Sequence, residues 1–225
     1  KDMKKKPTGW IKWVVTAAAI LLIAAFCRVT VIWDAPASDN TATANLTVAE
    51  RYCQDNWDGK MLPSILEKAL DAKTILAAAQ QDMNAAGEKY GTRENETSAW
   101  NFCLKGEAKV IDILNPEKAS KTRLAIDLTP MDGTADALIQ WSSVLKTNAI
   151  RDCVGFLKLD DFANQVEFAE LTKAFNARVQ KDLITKTDAT ALKGKTISFT
   201  GCVALTKFTD APDAEIIPVQ LAEVG

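Results

Sequence analysis

Five polar side chains in the second half of the sequence are the best candidates for binding a small ligand. They are a guanidinium, a carboxylate and three amides: Arg151, Asp152, Asn164, Gln165 and Asn176. Planar guanidinium and amide groups form paired hydrogen bonds with carboxylates and with sugar hydroxyls. The alternative is that Arg151 pairs with Asp152 and fixes the loop before the next helix. The spacing therefore predicts a small polar ligand at the start of that helix, with a structural ion pair as the competing interpretation.

The sequence offers little for catalysis because it contains no histidine, the commonest general base and metal ligand. Carboxylate pairs occur at positions typical of turns and helix caps: Asp55 and Asp58, Asp132 and Asp136, Asp160 and Asp161. Neither a phosphate-binding glycine loop nor a CxxC pair is present. We therefore expect no catalytic residue, no metal and no cofactor. An enzyme that uses Asp, Glu or Cys chemistry without histidine is the alternative function.

Cysteines are the remaining chemically active side chains. The chain has five: Cys27, Cys53, Cys103, Cys153 and Cys202. Four of them in an exported domain allow two disulfides, in three connectivities. Cys103 and Cys202 both fall on the face opposite the apolar positions of their predicted strands, so a disulfide between them is a candidate. Two unpaired, half-buried thiols are the alternative.

The first 33 residues predict the compartment in which this chemistry would occur. Lysines at 4–6 and 12 precede an apolar run from Val14 to Cys27, and Trp10, Trp13 and Trp33 flank it. Positive charge before an apolar segment is retained in the cytoplasm, so the rest of the chain is translocated. Residues 1–33 are therefore an export signal or membrane anchor, and the protein lies on the periplasmic side of the inner membrane.

The sequence allows four interpretations of residues 1–33. An uncleaved anchor is favoured, because the span from Trp10 to Trp33 is long enough to cross a bilayer. Cys27 follows the apolar run where a lipoprotein signal places its acylated cysteine, but Phe26 before it is bulky. Cleavage could instead follow the small residues of Ala35-Pro36-Ala37. A buried helix of a soluble protein fits the lysines and tryptophans poorly.

The charge of the exported part limits its partners. Residues 30–225 contain 21 basic and 28 acidic side chains, a net charge of −7. Nucleic-acid binding needs a basic surface that neutralises phosphates, so we expect no nucleic acid. The partners that remain are the inner membrane, reached through the N-terminal segment, and a small polar ligand. The function favoured is an extracytoplasmic, membrane-anchored binding or accessory protein.

The elements that must position these residues begin with a polar tether at 34–45 and a helical extension at 46–97. Thr47 and Glu50 form a capping box that starts a short helix to about Trp57, and Gly59 is predicted to end it. Pro63 suits the first turn of a second helix, whose apolar positions recur at helical spacing to Met83. Gly87 and Gly91 then open a polar loop.

A period of two from Ser98 onward predicts strands in residues 98–225. The first three strands are predicted at about 104–110, 124–128 and 137–141. A helix capped by Asp160 or Asp161 follows and runs to Ile184. Two more strands, at 197–205 and 216–222, end the chain. Three strands, a helix and two strands is the order of an OB-fold. The fold class is therefore α+β: an OB-fold-like five-stranded β-barrel with a helix between strands 3 and 4, preceded by a helical extension and an anchor helix.

Several short segments carry a resemblance to a known family. They are Trp100-Asn101-Phe102, Leu104-Lys105-Gly106, Ile150-Arg151-Asp152, Asp161-Phe162, Asn164-Gln165, Asn176-Ala177 and Leu192-Lys193-Gly194-Lys195. Together they resemble the bacterial family of predicted periplasmic lipoproteins of unknown function, from Cys27 to the end of the chain. The resemblance implies an OB-like fold, an extracytoplasmic location, acylation of Cys27 and an association with sugar-uptake transporters. It implies no catalytic residue.

Overall fold

The structure is a computed structural model that describes residues 46–207 and 214–224. The predicted anchor at 1–33, with Cys27, and the tether at 34–45 lie outside the described residues. In the part that is described, no helix is both long and apolar enough to span a bilayer.

Helix α1, Val48–Asn56, begins as the sequence predicts. The Thr47 hydroxyl accepts a hydrogen bond from the Glu50 amide, and the Glu50 carboxylate accepts one from the Thr47 amide at 2.8 Å. The predicted end at Gly59 is wrong, because the chain continues through a π-helical turn, Trp57–Met61, into α2, Leu62–Lys68. The wider turn buries both Trp57 and Met61, and this burial outweighs the helix-breaking tendency of one glycine.

The long second helix of the prediction is interrupted twice. After α2 come a two-residue strand, β1 (Leu70–Asp71), and two helices, α3 (Ala72–Gln81) and α4 (Met83–Tyr90). Asp71 caps α3 by accepting a hydrogen bond from the Thr74 amide, and Asp82 caps α4 by accepting from two amides. An aspartate that can satisfy free amides starts a new helix more readily than it continues one.

The prediction that Gly87 opens a loop is also wrong, because Gly87 lies inside α4. It packs against the indole of Trp100, and a Cβ atom placed on Gly87 would lie 2.2 Å from that ring. Gly91 follows the helix as its C-terminal cap. Gly87 is therefore a close-packing residue that lets α4 approach the first long strand.

The sheet contains the predicted strands and β1. The long strands are β2 (Trp100–Leu114), β3 (Arg123–Leu128), β4 (Ala137–Gln140), β5 (Thr196–Leu205) and β6 (Glu215–Glu223). Their order is β1-β2-β3-β4-β6-β5, and β5 also pairs with β2, so the five long strands pair in a closed ring. The mixed α+β class is confirmed. The predicted strand count of five is wrong, since β1 adds a short parallel pairing to β2.

The connection from β4 to β5 holds the one long helix that the sequence predicts there, with two short helices added. A five-residue helix, α5 (Ala149–Cys153), precedes the long helix α6 (Gln165–Asp182), and a short α7 (Ala189–Leu192) follows it. Helix α6 is capped by Asn164, whose side chain accepts from the Glu167 amide. The prediction of Asp160 or Asp161 as its cap is wrong, because both lie in an earlier 3₁₀ turn, Leu159–Asp161.

Helices and sheet share one hydrophobic core. Helices α2 to α5 all contact β2, and α5 also contacts β5. Side chains alternate along a strand, so Cys103 shares a face of β2 with the exposed Lys105 and Glu107. Cys103 is nevertheless buried, because α5 covers that end of the face. This cover creates the interior in which the cysteines meet.

Candidate functional site

Arg151 is buried, and its contacts are with Asp152 and Phe168. It lies on α5 with 5% of its surface exposed. Its Nε and Nη2 atoms donate to the two carboxylate oxygens of Asp152, at 2.6 and 3.1 Å, and its Nη1 atom donates to the Phe168 carbonyl oxygen. Its guanidinium also stacks 3.9 Å from the centroid of the Phe168 ring. These contacts join α5 to α6.

Of the three amides of the predicted ligand site, Asn164 and Gln165 are consecutive at the start of α6, and Asn176 lies about three turns further along it. Asn164 caps α6, and the neighbouring Gln165 is exposed in its first turn. Asn176 is buried and its Nδ2 atom donates to the carbonyl oxygens of Leu145 and Thr147, both at 3.1 Å. The structure therefore brings Arg151 and Asp152 together but does not collect all five predicted residues around one cleft.

The paired carboxylates also have local partners. Asp136 pairs with Lys73 and accepts from the Leu128 amide, and Asp58 pairs with Arg178. Asp132 accepts from the Thr134 amide at 2.8 Å. Asp161 accepts from the Lys158 amide at 3.2 Å. Turn formation and ion pairing thus account for these side chains.

Cys103, Cys153 and Cys202 form a compact group that we call the thiol cluster. Cys103 on β2 lies directly opposite Cys202 on β5, and Cys153 is the last residue of α5. The Sγ atoms of Cys153 and Cys202 are 3.1 Å apart, and all three Sγ atoms lie within 4.8 Å of one another. All three residues are buried, and the four cysteines of the described chain are free thiols. The candidate Cys103–Cys202 disulfide stays a prediction.

The three thiols differ in their tendency to ionise. Hydrogen bonds from the thiols of Cys153 and Cys202, with a smaller contribution from the charge of Lys68, hold the pKa of Cys103 below its ordinary value, although burial opposes this. Burial raises the pKa of both Cys153 and Cys202. The pKa shifts within the cluster therefore run in opposite directions, downward at Cys103 and upward at Cys153 and Cys202.

Cys53 is separate from the thiol cluster. It lies on α1, and its Sγ atom is 3.7 Å from the Ala174 carbonyl oxygen of α6. Burial raises its pKa to about 11. It is a buried neutral thiol, of the kind that packs as a small apolar side chain.

A surface cleft of about 480 Å³ lies where β3, β4 and β6 meet the loop that follows β2. Arg123 of β3 pairs in register with Gln140 of β4, and Glu215 begins β6. The Glu215 carboxylate lies 3.1 Å from the Arg123 Nε atom and accepts a hydrogen bond from Gln140 at 3.0 Å. The floor of the cleft is therefore a fixed polar network.

The rim of the cleft adds positive charge and apolar surface. Lys121 and Lys146 line it and are exposed. Val144 and Leu114 are also exposed there, at 46% and 36% of their surface. With Arg123 included, the lining carries three cations and one carboxylate. Sequence reasoning missed this site because its residues come from three separate segments, 114–123, 138–146 and Glu215, and no local spacing connects them.

Closed strand pairing, with the helices between β4 and β5, defines a protein of the OB-fold class. A solved structure agrees: an OB-fold protein from Thermotoga maritima MSB8 superimposes with a TM-score of 0.63 at 17% sequence identity, covering 80% of this chain and 99% of that chain. This likeness concerns the fold.

The chain belongs to the family of predicted periplasmic lipoproteins known as DUF2291, whose sequence profile matches residues 17–222. It is accordingly a cell-envelope protein of the periplasmic side, as the N-terminal segment predicted. No match was found among curated proteins.

Proposed function

We propose that this protein is an envelope-bound binding protein that holds a small anionic, hydroxylated solute in the cleft between β3, β4 and β6. The observation that carries the proposal is the combination of Lys121, Arg123 and Lys146 around a fixed hydrogen-bonding floor. Two lysines have no carboxylate partner within the described chain, so they are available to an anion. The carboxylate of Glu215, which already accepts a hydrogen bond from Gln140, can also accept hydrogen bonds from hydroxyl groups beside that anion.

The size and composition of the cleft support a small ligand. Its volume of about 480 Å³ lies within the range of about 300–1,000 Å³ typical of small-molecule sites. Exposed apolar side chains at the rim, Leu114 and Val144, provide surface against the carbon skeleton of a solute. In OB-folds the loop between the first two strands and the adjoining strand face are common binding surfaces.

Charge favours a small anion over a long polyanion. The cleft is a local cationic site on an exported domain whose net charge is −7 over residues 30–225. Such a domain repels a nucleic acid along most of its length, whereas a single carboxylate or phosphate contacts the lysines alone.

The accessory role rests on the N-terminal segment and on the family resemblance. Residues 1–33 would hold the domain at the inner membrane, next to transporter components that handle the same solute. Acylation of Cys27 would serve the same purpose. Sugar uptake is the transport process that the resemblance suggests.

The test is a calorimetric titration of the full-length chain, in mild detergent, with sugar acids, sugar phosphates and the matching neutral sugars. We expect an acidic sugar to bind and its neutral counterpart to bind at least about tenfold more weakly, a difference of about 1.4 kcal/mol. Binding should weaken as salt is raised, since exposed charges are screened.

Two variants make the titration specific. Lys121→Gln combined with Lys146→Gln should lower the affinity by about tenfold or more. Lys181→Gln, which removes an exposed lysine of α6 outside the cleft, should leave it unchanged. Equal affinity for acidic and neutral sugars, or equal loss in both variants, would overturn the proposal.

A further inference from the structure

The thiol cluster has no role in the cleft, and its composition points to a different ligand. Within residues 46–207 and 214–224, its three Sγ atoms are the one group of three potential metal ligands that lie within 4.8 Å of one another. All three donors are sulfur, and the chain contains no histidine to replace one of them. We propose that the thiol cluster binds one Cu(I) ion through the three sulfur atoms.

The spacing of the sulfur atoms suits a three-coordinate ion. Metal–thiolate bonds of about 2.3 Å place the three sulfurs of a planar site about 4 Å apart. The Sγ atoms of Cys153 and Cys202 are 3.1 Å apart, and those of the other pairs are no more than 4.8 Å apart. The range from 3.1 to 4.8 Å includes the value of a planar site. Small rotations of the side chains are therefore enough to receive the ion.

The positions are held by three different elements. Cys103 and Cys202 face each other on paired strands, where the backbone register fixes their separation. Cys153 is delivered by α5, which contacts both β2 and β5. Arg151, two residues earlier, ties α5 to α6 and to Asp152. A metal site whose ligands lie on packed helices and strands is preorganised for the ion.

The donor set selects the metal. Mg²⁺ and Ca²⁺ require oxygen ligands, and structural Zn²⁺ sites are nearly always four-coordinate. Three thiols with no fourth protein ligand in the described chain fit Cu(I), which soft sulfur ligands bind in preference to harder ions. Burial of all three residues keeps water from the fourth position.

The net charge of the Cu(I) site calls for a positive group close by. Cu(I) with three thiolates would carry a charge of −2 in a buried site, which is costly. The Lys68 ammonium donates to the Val154 carbonyl oxygen beside Cys153 and offsets part of that charge. Each thiol must lose its proton to ligate the ion, so binding releases protons and strengthens as the pH rises.

A disulfide is the competing fate of these sulfurs in an oxidising compartment. Oxidation of Cys153 and Cys202, or of Cys103 and Cys202, would use two sulfurs and leave the third without a partner. Cys53 cannot complete a second pair, because it lies against α6. A three-ligand metal site requires three converging thiols. A single disulfide requires only two, so it does not explain the third.

The experiment is an anaerobic titration of the full-length chain with Cu(I), in the presence of a competing Cu(I) chelator and a non-thiol reductant. We expect one Cu(I) per chain. Cys153→Ser should weaken binding by about 100-fold or more, since even the partners of metal ligands contribute 10- to 100-fold. Cys53→Ser is the matched control, a buried cysteine outside the cluster, and should retain the affinity of the unaltered chain.

X-ray absorption spectroscopy of the copper-loaded, unaltered chain identifies the copper ligands directly, so the proposal can be tested even if a variant fails to fold. Three sulfur neighbours at a single short distance would support the proposal. Two-coordinate copper, a nitrogen or oxygen ligand, equal affinity of the Cys153→Ser and Cys53→Ser variants, or tighter binding of Zn²⁺ would overturn it. So would a quantitative disulfide within the cluster in protein isolated from its own membrane with thiols blocked.

Discussion

The guanidinium of Arg151 lies 3.9 Å from the centroid of the Phe168 ring and also donates a hydrogen bond to the Phe168 carbonyl oxygen. One side chain thus joins α5 to α6 through the face of an aromatic ring and through the backbone of the same residue. The two oxygens of Asp152 accept hydrogen bonds from its Nε and Nη2 atoms. The structure uses this arginine to hold the helices that position Cys153.

Replacing Arg151 should therefore reduce stability. Arg151→Met leaves the Asp152 carboxylate without its partner, and loss of one member of a largely buried ion pair costs about 3 kcal/mol. Arg151→Lys should recover only part of this, because an ammonium cannot form the bidentate pair or the planar stack. Urea unfolding of the full-length chain in detergent measures both. A folded, equally stable Arg151→Met variant that no longer binds the solute would instead support the ligand site predicted from the sequence.

The cap of α6 provides a second prediction. Asn164→Ala removes the acceptor of the Glu167 amide and should lower the free energy of unfolding by about 1 kcal/mol. Asp160→Asn combined with Asp161→Asn should change it by less than about 0.5 kcal/mol, because neither residue caps this helix. Urea unfolding of the two variants checks the assignment, and the reverse order of effects would contradict it.

Gly87 should tolerate no side chain. Gly87→Ala places a Cβ atom 2.2 Å from the Trp100 ring, and such overpacking costs about 1–3 kcal/mol. Gly59→Ala is the control within the same helical region, since nothing lies within 4 Å of its added Cβ. That change should be neutral or stabilising by up to about 1 kcal/mol. Thermal unfolding distinguishes them, and equal melting temperatures would contradict the packing of α4 on β2.

The pKa of Cys53 predicts a loss of stability at high pH. Its ordinary value of 9.0 is raised to about 11 by burial. A folded-state pKa above the unfolded one gives stability that is fully present below pH 9 and is lost as the pH rises towards 11. We expect the stability difference between the unaltered chain and Cys53→Ala to shrink across this interval, as urea unfolding at several pH values would show. A constant difference would mean that the Cys53 thiol ionises normally.

Elements with strong local signals could be predicted from the sequence. The capping box at Thr47 and Glu50, the alternation in β2 and β5, and the long helix α6 all depend on residues close in sequence. The interruptions at Asp71 and Asp82 could not be found in this way, because the apolar spacing continues across both. Helix α5 has five residues and no side-chain cap, so its sequence carries little periodicity.

Predicting the candidate sites required more knowledge of tertiary structure than predicting the fold did. Cys103 and Cys202 could be related through their strands, but Cys153 joins them only because α5 folds over that face. The cleft gathers Lys121, Arg123, Lys146 and Glu215 from separate elements. Arg151 and Asp152 were correctly related as a possible ion pair, since they are adjacent in the chain.

Native mass spectrometry of the full-length protein, released from its own membrane into detergent, tests the central claim most directly. We predict that the unaltered chain and Lys181→Gln carry a small acidic solute that is lost on collisional activation. The chain with both Lys121→Gln and Lys146→Gln should lack that mass while remaining folded. Retention of the same solute by this double variant would contradict binding in the cleft between β3, β4 and β6.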